Sequence, residues 1–283
     1  MNNTEIKIST SEVPAIIGVD THKTAVNVWE EKTGKVTPTE TTEAMEIGSA
    51  LKEVAKRVWE VKTGKIVKPG VQVSSGHSCG TVDGMVDGTP VMIQTTPFAW
   101  DEIPEAVKVK AQHYMAMGGW SSIKVICMVS GCGKAIEEHE IEADASGKAI
   151  LEAVEHFVEN VEKEVAPAPQ TIEDCRRIWS KSEGDTVEAT EEIAAKIEAL
   201  KAATAKAKEA EAEADALKKS IMEVMGSAET LTVNGKKAIT WKSNKDSVKT
   251  DYKALVEALA PSAEVLAEHT STVPGARVFR IAK

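Results

Sequence analysis

Residues 80–95 read GTVDGMVDGTPVMIQT, and this stretch decides the fold class. Two strand-like runs flank Asp87 and Gly88, a dipeptide that favours a tight β-hairpin. The first run carries one carboxylate, Asp83, among small and apolar residues. The sequence therefore predicts a β-hairpin with a single acidic side chain on its first strand.

Helices and strands alternate outward from this hairpin. Amphipathic helices are predicted over 42–62 and 105–117, and the apolar run at 122–129 is typical of a buried strand. A partner strand is expected at 134–143 and a further helix at 149–165. This order predicts an α/β core, with a central mixed sheet flanked by helices.

The chain changes character at 166–169, where the sequence Ala-Pro-Ala-Pro ends a helix and favours an extended connection. We therefore predict three parts: a core at 1–166, a linker and long helical arm at 167–226, and a small α+β unit at 227–283. Within the last part, the sequence predicts a hairpin, then a helix at 251–259 and a final strand at 276–281.

The arm is predicted to be one helix over 187–225. Its apolar residues recur at three- and four-residue steps with one irregular step, namely Ile193, Ile197, Leu200, Ala203, Ala207, Ala210, Ala214, Leu217, Ile221 and Val224. Charged residues fill the rest of its surface. The pattern indicates an antiparallel helix arm or a short coiled coil.

Composition excludes several classes of protein. The 283 residues are 42% hydrophobic and 28% charged, which is unlike a wholly disordered, collagen-like or membrane-embedded chain. An aromatic content of 4% argues against long base-stacking platforms. The sequence shows neither an apolar signal segment at its start nor a membrane-length apolar window, and its four cysteines fit a reduced compartment. We expect a cytoplasmic protein of a bacterial host.

Charge is distributed unevenly along the chain. The formal net charge is −10, whereas residues 227–283 carry six acids and nine bases, a net charge of +3, which leaves −13 for residues 1–226. An acidic balance disfavours indiscriminate binding to nucleic acid. It favours a protein partner over bulk DNA.

Eight short segments, taken in order, resemble the YqaJ-type viral recombinases, the group of the phage lambda exonuclease within the PD-(D/E)XK nucleases. They are 8–12 (ISTSE), 15–19 (AIIGV), 23–25 (KTA), 29–34 (WEEKTG), 45–51 (MEIGSAL), 82–86 (VDGMV), 100–104 (WDEIP) and 111–116 (AQHYMA). Their order and spacing carry the resemblance. The long helix and C-terminal hairpin also look like the extension of many phage members. The resemblance implies a PD-(D/E)XK restriction-endonuclease-like core.

The resemblance also implies hydrolysis of phosphodiester bonds at DNA ends. In the family, two carboxylates on adjacent strands hold Mg²⁺, often with an acid from the preceding helix, and a nearby Lys activates the attacking water. Mg²⁺ prefers hard oxygen ligands and lowers the pKa of bound water. Asp83 matches the first carboxylate, and Gln112 matches a Gln that the family carries on a later helix.

The other matching positions have changed. When Thr95 is aligned with the Thr that usually follows the Glu-x-Lys motif, Met92 stands at the Glu position and Gln94 at the Lys position. The helical acid expected four residues after Gly48 is Lys52. A thioether is a poor ligand for Mg²⁺, and an amide neither carries a positive charge nor takes a proton.

Lys110 is a candidate to replace the lysine that is missing from the Glu-x-Lys motif. It stands where relatives carry the first Gln of a Gln-x-Gln pattern. The candidate catalytic residues are therefore Asp83, Gln94, Lys110 and Gln112, with Asp83 as a vestigial metal ligand. No DNA-contacting residue is assigned from the sequence. A second carboxylate would have to come from Glu46, Glu53 or Asp87.

We expect a phage-type recombination-exonuclease homologue that has lost most catalytic residues and uses no cofactor. It would bind double-stranded DNA ends, or a nuclease, annealing protein or defence protein, as a homo-oligomer away from membranes. The alternative is an active Mg²⁺-dependent 5′–3′ double-strand exonuclease that uses Asp83 with relocated partners such as Lys110. A third interpretation is a structural interaction protein that binds neither DNA nor metal.

Overall fold

The computed structural model describes residues 5–37, 42–129, 136–272 and 275–281. The chain forms two compact units, Met1–Ser180 and Lys181–Lys283. None of the helices in the described ranges is long and apolar enough to cross a membrane. The finer division at 166 and 226 remains a prediction.

The helices and strands of the first unit follow one another closely. They are β1 (Ile8–Ser9), α1 (Val13–Ile17), α2 (Ala25–Lys32), α3 (Glu43–Thr63), β2 (Gln72–Ser75), β3 (Ser78–Thr81), β4 (Gly84–Val86), β5 (Thr89–Thr96), α4 (Glu105–Gly118), β6 (Ser122–Val129), β7 (Ile136–Glu142), α5 (Ser146–Glu162) and α6 (Ile172–Ile178). The strand predicted at 134–143 corresponds to β7, and residues 134 and 135 lie outside the described ranges.

The second unit contains one long helix, a hairpin and two short helices. They are α7 (Glu191–Met225), β8 (Thr230–Val233), β9 (Lys236–Thr240), α8 (Tyr252–Leu259) and α9 (Ala263–Glu268). Helix α7 begins after Thr190, whose side chain accepts a hydrogen bond from the backbone N–H of Ile193. The final strand predicted at 276–281 does not form, since the described residues 275–281 carry no strand and β8 pairs with β9 alone.

The strands of the first unit lie in two sheets, with the orders β1-β3-β2 and β4-β5-β6-β7. In the larger sheet, β5 runs parallel to β6, while the β4–β5 and β6–β7 pairs are antiparallel. Side chains of β5 alternate between the two faces. Ile93 packs with Trp59 of α3, and Met92 packs with Val107 and Ala111 of α4. The predicted α/β class, a mixed sheet flanked by helices, is confirmed.

The predicted β-hairpin forms. Its turn is at Asp87 and Gly88, whose φ angles are positive, at 52° and 88° respectively. The run before it is broken, however. Val82 donates its N–H to Val71, so β4 begins only at Gly84. Asp83 therefore lies between β3 and β4 rather than inside one strand.

The predicted apolar stripe of α3 is largely exposed. Ala55 and Trp59 are the buried residues of this helix in the sheet-facing cluster, with 0% and 2% exposure. The remaining stripe residues Ile47, Val54, Val58 and Val61 are exposed, with between 39% and 72% of their surface accessible. An indole buries more area than one aliphatic side chain, so Trp59 is the main contact of α3 in the sheet-facing cluster.

Helix α6 returns to the first unit after the Ala-Pro-Ala-Pro connection. The carboxylate of Asp174, which is 1% exposed, accepts hydrogen bonds from the Thr24 hydroxyl at 2.7 Å and from the N–H groups of Gln170 and Thr171. Arg177 adds an ion pair with Glu30 at 2.9 Å. These contacts explain why α6 belongs to the compact unit that ends at Ser180.

Replacing Asp174 with Ala is expected to lower the free energy of unfolding by about 1–3 kcal/mol, because the three donors lose their buried acceptor. Urea unfolding followed by tryptophan fluorescence measures the change. Asp185→Ala is the matched control, since Asp185 is exposed. Equal midpoints for the two variants would show that the Asp174 contacts do not hold α6 in place.

Candidate functional site

Asp83 stands at the centre of the candidate site, and both of its carboxylate oxygens are engaged. Oδ1 lies 2.9 Å from the ammonium of Lys52, and Oδ2 accepts a hydrogen bond of 2.7 Å from the backbone N–H of Ile93. The hydrogen bond to Oδ2 takes the place of a backbone hydrogen bond between β4 and β5, because the chain at Asp83 is not yet paired with β5. The local break in the strand thus depends on this carboxylate.

Lys52 reaches Asp83 because of its position on α3. It stands three residues before Ala55 and seven before Trp59, so all three share the face of the helix that packs on the sheet. The Asp83 side chain is 23% exposed and that of Lys52 is 39% exposed. A tethered ammonium therefore balances the half-buried carboxylate at the position where the family resemblance predicts an acid.

Lys110 on α4 belongs to the same electrostatic environment. Burial lowers the pKa of its ammonium, and the positive charge of Lys52 adds to this effect, while Asp20 and Asp83 oppose it. Lys110 is thus a cation whose proton is held less firmly than that of an ordinary lysine. The structure brings Asp83, Lys52 and Lys110 into one electrostatic neighbourhood.

The side-chain amide of Gln112 forms hydrogen bonds with the backbone. Its amide N–H donates to the carbonyl of Glu142 at 2.8 Å, and its amide oxygen accepts from the N–H of Asp144 at 3.1 Å. Two residues along a helix correspond to a rotation of about 200°, so Lys110 and Gln112 point in nearly opposite directions. Gln112 is 4% exposed and holds the chain that leaves β7.

Met92 and Gln94 lie on β5. Met92 is 2% exposed and packs with Val82 and Val107 in an apolar cluster. Strand alternation places Gln94 on the same side of the sheet as Met92, where it is partly exposed. The position aligned with the family's Glu has therefore become part of the hydrophobic core.

These side chains do not fit a Mg²⁺ site. Among the described residues, no group of three or more His, Cys, Asp or Glu side chains is placed to hold a metal ion. Asp83 contacts an ammonium, and the aligned Met92 offers only a buried thioether. Mg²⁺ requires several oxygen ligands, which this arrangement does not provide.

Tyr114 is a further neighbour that the sequence did not single out for the site. Its hydroxyl donates to the carbonyl of Thr81 at 2.9 Å. Burial raises the pKa of this phenol, and the charge of Asp83 raises it further.

The sequence did place Lys52 at a changed family position. A basic residue facing a retained acid was the available signal for the ion pair.

The first unit is an α/β domain with a mixed sheet flanked by helices, and Asp83 lies at the break before β4. Residues 3–121 match the model of the YqaJ-like viral recombinase domain, which confirms the resemblance predicted from the sequence. No curated protein sequence matches the chain.

Similar solved structures include three of exonucleases. The alkaline exonuclease LHK-Exo from Laribacter hongkongensis is 21% identical, with 56% of this chain and 89% of that chain covered and a TM-score of 0.48. Its complex with dAMP gives 18% identity, coverage of 61% and 92%, and a TM-score of 0.46. A phage related exonuclease from Haemophilus somnus 129PT gives 16% identity, coverage of 58% and 96%, and a TM-score of 0.45.

Substituting Lys52 with Met is expected to lower the free energy of unfolding by about 1–3 kcal/mol, because a half-buried carboxylate loses its counter-charge. Urea unfolding measures the loss. The matched control is Lys65→Met, which breaks an ion pair with Asp87 whose partners are 54% and 73% exposed. We expect a smaller change for the control, because ion pairs between exposed groups contribute little to stability. A Lys52 effect no larger than the control effect would contradict a structural role for the site pair.

His113 on α4 gives the fold a pH dependence. It is 0% exposed, its Nδ1 lies 3.0 Å from the Thr10 hydroxyl, and burial lowers its pKa from 6.5 to about 4. Unfolding therefore takes up a proton below pH 6.5, so stability falls as the pH drops from 6.5 towards 4.

The His113→Asn variant should show a shallower decline in stability over this pH range than the native chain. The measurement is the unfolding midpoint in urea at a series of pH values. His156→Asn serves as the control, because His156 is exposed, and it should retain the native slope. If all three proteins have the same slope, His113 is not buried in its neutral form.

Proposed function

We propose that this chain acts in recombination or DNA-end metabolism without cutting DNA. The observation that supports this most directly is the engagement of Asp83 by Lys52 and by the N–H of Ile93. A metal ion at Asp83 would have to compete with an ammonium that the fold already supplies. The relationship of residues 3–121 to the viral recombinases supports the biological setting.

The proposal requires no cofactor for the function of the chain. The roles earlier predicted for Gln94, Lys110 and Gln112 change accordingly. Gln112 would keep the fold intact, Lys110 would add positive charge near Asp83, and Gln94 would have no proton to transfer. The site then becomes a structural element of a binding protein.

A protein partner is favoured over bulk DNA by the acidic balance of residues 1–226, which carry a net charge of −13. We propose a nuclease, an annealing protein or a defence protein as the class of partner. DNA ends are the competing ligand. The setting would be the cytoplasm of a bacterial host, with the chain as a homo-oligomer.

One observation favours a second candidate, an Mg²⁺-dependent 5′–3′ double-strand exonuclease. Burial lowers the pKa of Lys110 within the field of Asp83, and proton-accepting lysines in catalysis are prepared in this manner. This candidate needs further carboxylates near Asp83, however, and the described residues place none there as a cluster.

Incubation with linear duplex DNA and Mg²⁺ or Mn²⁺ distinguishes the two candidates. The native chain and its Asp83→Ala variant should show the same background of nucleotide release, because no metal-bound water forms at Asp83. Asp185→Ala is the control for removing an exposed acid away from the site. Nucleotide release that the Asp83→Ala variant alone abolishes would establish the exonuclease instead.

Two binding measurements complete the comparison. Calorimetry with Mn²⁺ should give the native chain and Asp83→Ala the same heat, whereas the exonuclease requires binding that depends on Asp83. A gel shift with blunt duplex ends at low salt then separates the ligands. Retarded DNA would identify DNA ends as the ligand, and unshifted DNA would support a protein partner.

A further inference from the structure

Helix α7 is long and lacks cover within the described part of the chain. It spans 35 residues, or roughly 50 Å, and every residue from 191 to 220 is exposed. The exposed residues include large apolar side chains, such as Ile193 at 44%, Leu200 at 42% and Leu217 at 59%. Helices in proteins gain most of their stability from packing an apolar face against another part of the structure. We therefore expect the apolar face of α7 to pack against a partner.

The exposed face follows a heptad pattern. Ten positions at alternating steps of three and four run along the helix, namely 193, 196, 200, 203, 207, 210, 214, 217, 221 and 224. Nine of them are apolar, and the exception, Lys196, precedes Ile197. A heptad repeat of this length is the pattern of a two-helix coiled coil.

The pattern has mirror symmetry about the bond between Lys208 and Glu209. Counting outward from this point, Ala207 corresponds to Ala210 and Leu200 to Leu217. Ala203 with Ala214 lies between these two pairs, and Ile193 with Val224 is the outermost pair. The remaining pair, Lys196 with Ile221, joins a charged and an apolar residue. A second copy running in the opposite direction would therefore place alanine against alanine in the middle and large aliphatic residues together at both ends.

Charge follows the same symmetry with opposite sign. Residues 201–208 contain three lysines and no acid, whereas residues 209–216 contain four acids and no base. An antiparallel copy sets the basic segment against the acidic segment twice. A parallel copy would set each segment against its own charge, which costs binding energy.

We infer that α7 is a homodimerisation helix, in which two copies of this chain pair in antiparallel fashion about a two-fold axis between Lys208 and Glu209. The interface is isologous, as two-fold symmetry requires. The alanine-rich centre lets the helix backbones approach closely, and the Ile, Leu and Val residues at each end supply the apolar burial. This pairing is independent of any activity at Asp83.

Light scattering and sedimentation of the full chain test the pairing. The native protein should have twice the 30.3 kDa chain mass. Two variants reverse the charge of one segment each. The first has Glu209, Glu211 and Glu213 changed to Lys and retains Asp215, and the second has Lys201, Lys206 and Lys208 changed to Glu. Each should dissociate at least about tenfold more readily, because like charges now face each other in the antiparallel pair.

Mixing the two variants should restore a dimer that contains one copy of each. Lys and Glu are both good helix formers, so far-UV circular dichroism should show the helix intact. The control changes Glu183, Asp185 and Glu188 to Lys, which alters net charge equally outside α7 and should leave the dimer unaffected. A monomeric native chain, or an oligomer that neither segment variant weakens, would overturn the inference.

Discussion

The ion pair between Lys52 and Asp83 joins α3 to the point where β3 ends and β4 begins. One carboxylate oxygen contacts the ammonium and the other accepts the N–H of Ile93, so the fold supplies one partner to each oxygen. The counter-charge is carried on a covalent tether of four carbons. The carboxylate of Asp83 therefore contacts both α3, through Lys52, and β5, through Ile93, at the break in the strand.

The changes around Asp83 agree with one another chemically. Met92 fills the space between β5 and α4 with an apolar side chain, and Trp59 anchors α3 on the opposite face. A carboxylate at position 92 would be costly to bury there unless a cation compensated it. Lys52 supplies a positive charge to Asp83 from α3. The first unit thus combines a mixed α/β sheet with an ion pair at the break before β4.

Local chemistry made much of this fold predictable. The hairpin turn follows from Asp87 and Gly88, and β6 follows from a continuous apolar run, because both signals lie within a few residues. The return of α6 was not predictable, since the Asp174–Thr24 hydrogen bond joins residues 150 positions apart. At the site, the sequence identified Asp83 and Lys52 separately. Their contact depends on how α3 is rotated on the sheet, which is a matter of tertiary packing.

Gln112 matches a residue of the family pattern, but its contacts in this chain are with the backbone. Its amide brackets the backbone at Glu142 and Asp144, so the side chain is needed wherever β7 must turn into α5 in this manner. A sequence motif that includes this glutamine therefore reports architecture at this position. The match of residues 3–121 to a family model therefore bears more directly on the shape of this domain than on any reaction.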